Sequence, residues 1–312
     1  MKRTVISLFL ILFLSLTSLW SADFYCSGQV LLGDVLTGLL TSCNPGDEAS
    51  FSLSDSSGKV RALVDGVSFQ DEDLPGENNI GLIGIDSGLP VGTYTLRAEL
   101  KRDSGLLEFE RPVLIRGRTF KTEDIKLNKA MSNLRSSADP EKLAQSRRLW
   151  SILLSVDKGP VAPCDSMISP VESYTITSWF GDRRKFLYTD GGTAGSVHSG
   201  VDLANDTGTP ITAPMAGKVV LAQKRILTGN SIVLEHFPGV YSIYYHMDTM
   251  EVKENEQVVA GDSLGTMGST GLVTGPHLHW ELRVNTIPVD PMKYLDKGLI
   301  DKDQIMTIIN GY

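Results

Sequence analysis

Two histidines stand one residue apart in the glycine-rich stretch "TGPHLHWE", residues 274–281. The chain has five histidines in all, so this spacing is a candidate for chemistry. Because successive side chains of a strand point to opposite faces, His277 and His279 are predicted to share one side, with Leu278 turned into the core. Two imidazoles on one face suit a metal ion or a proton transfer. Taken alone, the pair is also typical of a half-buried strand that turns polar residues toward water.

A second motif, "HSGVDLAND", places three residues between His198 and Asp202. Gly200 and the β-branched Val201 disfavour a helix, so an extended segment is predicted, in which residues i and i+4 still share a side. Taken alone, this motif is more commonly a hydrogen-bonded surface pair. With His279, however, it supplies three protein ligands of nitrogen and oxygen type and leaves a fourth position for water. That is the arrangement of catalytic zinc, whereas structural zinc is closed by a fourth protein ligand.

His246, in "YYHMD", and His277 remain for roles around the open position. Zinc brings the pKa of its water down to about 7 and polarises a bound carbonyl, and histidines can take and return the proton. The helix-borne HExxH motif of thermolysin-like proteases is absent from the sequence. His236 is expected to serve strand hydrogen bonding. Glu281 is either a partner that orients an imidazole or part of a strand surface.

The order of the motifs resembles the lysostaphin-type (LytM-like) zinc metallopeptidases. The motifs are "SWFGDRR", "HSGVDLA", "GTPITAPMAGKV", "IVLEH", "YSIYYHM", "VVAGDSLGTMGSTG" and "TGPHLHWEL". The resemblance implies a β-rich domain with an open groove that carries one Zn²⁺, and hydrolysis of peptide bonds in peptidoglycan stem peptides or cross-links by a zinc-activated water. It implies metal ligands at His198, Asp202 and His279, and catalytic roles for His246 and His277.

The fold class is predicted to be mainly β. Residues 23–122 are short strands separated by turn-forming residues, which predicts an immunoglobulin-like β-sandwich. Residues 123–164 contain one bracing helix, capped by Asp139. Residues 165–296 are expected to form the metallopeptidase domain, and its stretch "KFLYTDGGTAGSV" to form a wall of the groove. Residues 297–312 are a short tail.

Two other functions remain open. A non-catalytic wall-binding or regulatory module could use the same fold, but such a module is expected to lose ligands, and this chain retains every one. A biotinyl or lipoyl carrier domain has hairpins similar to "ITAPMAGKVVLA" and "VVAGDSLG". A carrier needs a lysine at an exposed hairpin tip, and the sequence offers none there.

Composition and the first residues bear on location and partners. The net charge of −8 argues against a general nucleic-acid surface, which needs clustered cations. Residues 1–22 have a basic start, an apolar run and small residues, which predicts a secretory signal peptide and export to the periplasm or cell envelope. Left uncleaved, this segment would be a membrane anchor. The expected partner is peptidoglycan peptide, and a regulatory contact between the two domains is left open. A bridge between Cys26 and Cys43 is one of several pairings of three cysteines.

Overall fold

The computed structural model describes residues 22–71, 74, 76–155, 166–299, 306, 307, 309 and 310. The described part is mainly β, as the sequence predicts. Almost the whole predicted signal peptide, and Cys164, lie outside the described residues. Within the described part, no helix is both long enough and apolar enough to cross a membrane.

The N-terminal domain is a sandwich of two sheets. Its strands are β1 (Asp23–Cys26), β2 (Gln29–Leu31), β3 (Val35–Cys43), β4 (Glu48–Ser54), β5 (Val60–Asp65), β6 (Val67–Phe69), β7 (Glu77–Gly84), β8 (Gly92–Arg102) and β9 (Gly105–Arg116). One sheet has the order β1-β3-β7-β6 and the other β2-β9-β8-β4-β5. With the first strand divided between the sheets, this corresponds to the ABED and GFC orders of immunoglobulin domains. The predicted sandwich is confirmed.

Burial along the strands shows where the sandwich meets the rest of the chain. Strands β4 and β8 bury alternate residues, since one of their faces is covered by the opposite sheet. Strand β7 is buried on both faces. Its Ile83 lies in the sandwich core, whereas Ile80 and Leu82 join Leu39 in the core of the C-terminal domain. The two domains are therefore joined by a continuous apolar contact.

Polar contacts accompany this apolar one. Lys293 Nζ lies 2.6 Å from Asp34 Oδ2 across the domain junction. The Arg183 guanidinium donates to the Ser87 carbonyl oxygen at 2.7 Å and to the Ser87 hydroxyl at 3.0 Å. Whether the junction regulates activity stays a prediction.

Cys26 and Cys43 are buried free thiols, so the bridge considered from the sequence does not form. Cys26 pairs with Gly38, five positions before Cys43 on β3. Five strand residues span about 16 Å, whereas a disulfide needs Cα atoms within about 7 Å.

The connecting segment holds more structure than the one helix expected from the sequence. It contains strand β10 (Thr122–Lys126), helix α1 (Lys129–Ser136) and helix α2 (Pro140–Leu154). The Asp139 side chain accepts the Glu141 N–H and so caps α2, as predicted. Leu149 and Leu153 of α2 pack in one cluster with Tyr241 of the C-terminal domain. Helix α2 therefore braces that domain, and the domain boundaries drawn from the sequence stay predictions.

The C-terminal domain is built on a ten-stranded sheet. Its elements are β11 (Thr175–Ser178), β12 (Arg183–Leu187), β13 (Thr193–Val197), β14 (Val201–Ala204), β15 (Pro210–Thr212), β16 (Gly217–Arg225), β17 (Gly229–Phe237), β18 (Val240–Met250), β19 (Gln257–Val258), β20 (Ser263–Met267), β21 (Leu278–Val284) and β22 (Ile287–Val289). The main order is β11-β14-β21-β18-β17-β16-β19. Strands β12 and β13 form a hairpin, and β10 extends it as a parallel edge strand, so the connecting segment contributes to this domain.

Candidate metal centre

Three adjacent strands align the floor of the site. His279 of β21 pairs with Asp202 of β14 on one side and with Tyr245 of β18 on the other. Leu278 is fully buried in the domain core, as the alternation predicts. His277 and His279 both line the same cleft.

His198 is held by the turn before β14. Its backbone N–H donates to the Asp182 carbonyl at 2.9 Å, and the Asp182 carboxylate accepts the Trp179 N–H at 3.1 Å. Gly200 lets the chain pass against β21, because a Cβ there would lie 2.2 Å from the Trp280 carbonyl oxygen. The segment is extended, so His198 and Asp202 meet as the sequence predicts.

The three predicted ligands converge on one point. His198 Nε2 lies 2.9 Å from both Asp202 Oδ1 and His279 Nδ1, and the latter two atoms are 2.8 Å apart. The other ring nitrogens donate outward, His198 Nδ1 to the Trp179 carbonyl at 2.8 Å and His279 Nε2 to Glu281 at 3.0 Å. In the neutral rings the inward nitrogens therefore carry lone pairs. Two lone pairs and a carboxylate oxygen face one another, an arrangement that repels unless a cation lies between them.

The donor set fits a metal ion. Atoms 2.8–2.9 Å apart can all contact an ion whose bonds are about 2.0–2.2 Å long, the values for zinc with imidazole and carboxylate. Without a metal, a proton on the His279 ring relieves the same repulsion. Burial by itself would lower the pKa of His279. Hydrogen bonds with Asp202 and Glu281 outweigh burial and raise this pKa to about 9. Burial likewise opposes ionisation of Asp202, but hydrogen bonds with His198 and His279 hold its pKa well below the usual range.

Glu281, left undecided from the sequence, is an orienting partner of His279. It is buried, and its second oxygen accepts a 2.6 Å hydrogen bond from Arg283 Nε. Burial alone would raise its pKa, but Arg283 and His279 lower it to about 2. A carboxylate that stays ionised fixes the His279 tautomer and makes the ring a better ligand.

Arg184 is a site residue that the sequence did not reveal. Its Nη2 donates to Asp202 Oδ2, the oxygen that does not face the histidines. Its Nε lies 3.8 Å from Glu123 of β10. In the sequence, Arg184 is the second of two adjacent arginines after "FGD", and nothing in the motif distinguishes the roles of the two. Because Arg184 occupies Oδ2, Asp202 has only Oδ1 left to bind a metal.

An Arg184→Gln variant is expected to bind zinc about 10- to 100-fold more weakly, the usual effect of removing a residue that orients a ligand. Competition with a chromophoric chelator measures the affinity. Arg184→Lys keeps the charge and loses the planar guanidinium. Its zinc affinity should therefore lie between those of the wild type and Arg184→Gln. Unchanged affinity in Arg184→Gln would show that Asp202 needs no support.

His246 enters the cleft through an irregularity in β18. The Tyr245 ring stacks on His279 at 5.4 Å, and regular alternation would turn the next residue away. Instead His246 has a φ of 66°, and the β17–β18 register shifts at this point. Its N–H donates to the Thr228 carbonyl at 2.9 Å and its Nδ1 to the Thr270 carbonyl at 2.8 Å. A strained backbone held in this way is typical of functional positions.

His277 completes the group. Its Nδ1 donates to the Gly275 carbonyl at 2.9 Å, and its Nε2 lies 3.8 Å from Asp202 Oδ1. The His246 and His277 rings are 5.0 Å apart between centroids. Burial, with His277 and His279 nearby, lowers the pKa of His246 to about 3, so its imidazole is neutral. Both rings thus use Nδ1 for a backbone carbonyl.

All five predicted site residues line one cleft of about 330 Å³. Strand β10, helix α1 and the β12–β13 hairpin contribute one set of lining residues. The segment "KFLYTDGGTAGSV" supplies Phe186, Ser196 and Val197 to it. Leu272, Val273 and Thr274 also line the cleft.

His236 lies outside this group and serves strand hydrogen bonding, as expected. Its Nδ1 donates to the Ala216 carbonyl at 2.8 Å, and its Nε2 lies 2.6 Å from the Ser242 hydroxyl. With Nδ1 protonated, Nε2 accepts from that hydroxyl. Burial lowers the pKa of His236 to about 4.

This pKa predicts acid sensitivity. The unfolded chain binds the His236 proton below pH 6.5, whereas the native state resists it to about pH 4. The stabilising contribution is thus complete above pH 6.5 and is lost as the pH falls toward 4, by about 3 kcal/mol. Urea unfolding at several pH values should show a smaller acid-side loss for His236→Gln. Equal losses in both proteins would contradict the prediction.

The C-terminal domain has relatives among known protein families. Residues 196–291 match the sequence profile described as Peptidase family M23. This domain belongs to peptidase family M23. All five predicted site residues fall inside the matched segment.

Curated relatives of the M23 domain include two kinds of wall protein. Peptidoglycan DD-endopeptidase ShyB of Vibrio cholerae is 39% identical over 120 residues, which cover 38% of this chain and 27% of that protein. DD-carboxypeptidase/endopeptidase Mpg of Neisseria meningitidis is 36% identical over 126 residues, 40% of this chain and 28% of that protein. Murein hydrolase activator NlpD of Salmonella typhimurium is 37% identical over 140 residues, 43% of this chain and 37% of that protein. The chain thus matches well under half the length of each relative.

One solved structure resembles both domains together. A crystal structure of a candidate M23 peptidase from Pseudomonas aeruginosa superposes with a TM-score of 0.60 and 24% identity, over 85% of this chain and 94% of that one. At this identity the match shows the fold, a β-rich N-terminal domain joined to an M23 domain.

Proposed function

We propose that the protein is an exported, zinc-dependent endopeptidase that hydrolyses peptide bonds in peptidoglycan. The observation that carries the proposal is the convergence of His198 Nε2, Asp202 Oδ1 and His279 Nδ1 in a cleft that also holds His246 and His277. The relatives named as peptidoglycan endopeptidases support the substrate class. The signal-like residues 1–22 support export.

The three ligand residues would hold Zn²⁺ with one carboxylate and two imidazoles. Zinc so bound supplies Lewis-acid chemistry, because it polarises a peptide carbonyl and makes a nearby water more acidic. Asp202 offers one negative charge. Glu281, which accepts the Nε2 proton of His279, makes that ring a stronger metal ligand. Three protein ligands leave room for substrate, which is the mark of a catalytic site.

His246 and His277 supply the proton transfers. Each donates its Nδ1 proton to a backbone carbonyl, of Thr270 and Gly275 respectively, so Nε2 of the neutral ring is the accepting atom. Once protonated, the same Nε2 becomes a donor to the developing oxyanion or to the leaving amine. The two carbonyls stabilise the positive ring that forms. Two such rings let one proton be taken up while another is delivered.

A second function is a non-catalytic wall-binding or regulatory module on the same fold. The Salmonella relative named as an activator of murein hydrolases supports this alternative. The intact set of three ligands and two further histidines favours the enzyme, since a binding module needs no proton-transfer groups.

Release of peptide ends from purified peptidoglycan by the full chain tests the proposal. The enzyme predicts release that stops with a zinc chelator and returns with added zinc, and mass spectrometry of the fragments identifies the bond. Zinc binding without release from any type of cross-link would support the module. The full chain is required, because removing the connecting segment would uncover the sheet beneath Leu149 and Leu153 and remove β10 from the cleft.

A further inference from the structure

One part of the cleft wall carries a cation for which the described residues supply no counterion. We call this part the α1 wall and define it by Ile125, Leu127, Met131, Arg135 and Phe186, all of which line the cleft. Four of these side chains are apolar. Arg135, in the last turn of α1, is the charged member.

The Arg135 side chain is held in one place. Its guanidinium carbon lies 3.8 Å from the centre of the Phe186 ring, close enough for stacking. Its Nε lies 3.1 Å from the Tyr188 hydroxyl oxygen and donates to it. The plane of the guanidinium and the direction of its free edge are therefore fixed before any ligand arrives, which lowers the entropy cost of binding.

The free edge of the Arg135 guanidinium has no partner among the residues that the structure describes. Among the described residues, neither Nη1 nor Nη2 of Arg135 has a hydrogen-bond acceptor, and no carboxylate lies within ion-pair distance. Other arginines here are paired, such as Arg148 with Glu254. The terminal carbonyls of α1 do not need Arg135, because Lys142 Nζ donates to the Leu134 carbonyl at 2.7 Å.

A fixed guanidinium with two free nitrogens matches a carboxylate, which it can bind through two parallel hydrogen bonds. We propose that Arg135 binds a carboxylate of the substrate, so that the cleft selects peptides carrying a free carboxylate near the scissile bond. This inference rests on the proposed function. It names a chemical class, the acidic peptide, and a specificity residue that does not touch the metal ligands. The carboxylate is at the peptide terminus or on a side chain.

A muropeptide dimer in four forms tests the inference. One form has all carboxylates free, one is amidated at the terminal carboxylates, one at the side-chain carboxylates, and one at both. Wild-type kcat/KM is expected to be about tenfold higher for the free form than for the fully amidated form. The singly amidated form that loses the preference identifies the carboxylate.

Arg135→Gln should remove the preference by raising KM for the free form about tenfold, with cleavage of the fully amidated form unchanged. Arg135→Lys keeps the charge and should retain part of the preference. Arg148→Gln, a matched change on α2, should leave it intact. Thermal midpoints check folding. If Arg135→Gln lowered kcat/KM equally for the free and amidated forms, Arg135 would only support the wall, and the inference would be overturned. If kcat/KM changed for neither form, Arg135 would have no role in binding, and the inference would fail as well.

Calorimetric binding of the same dimers to a His246→Ala protein, with and without Arg135→Gln, separates this inference from the proposed function. If the wild type cleaves nothing but the free form binds about tenfold more tightly through Arg135, the carboxylate site stands and the peptidase proposal fails. Equal affinities for all four forms would remove the carboxylate site whatever the cleavage result.

Discussion

Replacing His279 with alanine is expected to reduce zinc affinity by more than about 100-fold and to bring peptide hydrolysis down to background. Changes to residues that only orient a ligand already cost about 10- to 100-fold, so loss of a ligand should cost more. His279 also occupies the middle of the three-strand row and contacts both other ligands. Metal content after dialysis and release of peptide ends measure the two effects.

His236→Ala is the matched control, since His236 lies outside the cleft and bonds to Ala216 and Ser242. It should bind zinc normally. Full activity of His279→Ala with normal zinc content would refute the assignment of this ligand and, with it, the metal-dependent mechanism.

Replacing His246 should separate catalysis from metal binding. Loss of a proton-transfer group lowers kcat by about 10²- to 10⁴-fold. Zinc affinity should stay within about threefold of the wild type, because His246 contacts none of the three convergent atoms by a hydrogen bond. Single-turnover cleavage and zinc titration on one preparation provide both numbers.

His246→Asn is the informative variant, because asparagine accepts the left-handed backbone at φ 66° whereas alanine adds strain there. A loss shared by His246→Asn and His246→Ala then reports the missing imidazole. Tyr245→Phe, which retains the ring stacked on His279, should stay close to wild-type activity. Wild-type turnover in His246→Asn would leave His277 as the sole proton-transfer group.

Much of the site could be predicted because it depends on short-range geometry. The period of two along a strand places His277 and His279 on one side and Leu278 in the core, whatever the rest of the fold does. The same reasoning joins His198 and Asp202 across an extended turn. Their combination with His279 into one centre was a hypothesis from ligand chemistry, which the resemblance to a known family strengthened. Spacing alone does not specify which strands are neighbours.

Contacts between distant segments could not be predicted. Arg184 reaches Asp202 only because β12 lies beside the candidate metal centre, and Arg135 lines the cleft only because β10 pairs with β12. The positive φ of His246 depends on a register shift that no local signal announces. The sequence showed β-branched and turn-forming residues in the N-terminal part, but not that β7 would be covered on both faces.

The parallel pairing of β10 with β12 also governs how substrate can approach. The five-residue ladder from Thr122 to Lys126 fastens the α1 wall to the β12–β13 hairpin, whose Arg184 donates to Asp202 of the ten-stranded sheet. Strand β7 joins the sandwich to the core of the same domain. Swinging that wall aside would break the ladder and bring apolar side chains into water. The width of the cleft is therefore set by strand pairing and packing. For the proposed peptidase, such a cleft accepts an extended peptide segment, whereas a folded polypeptide would first have to unfold around the bond to be cleaved.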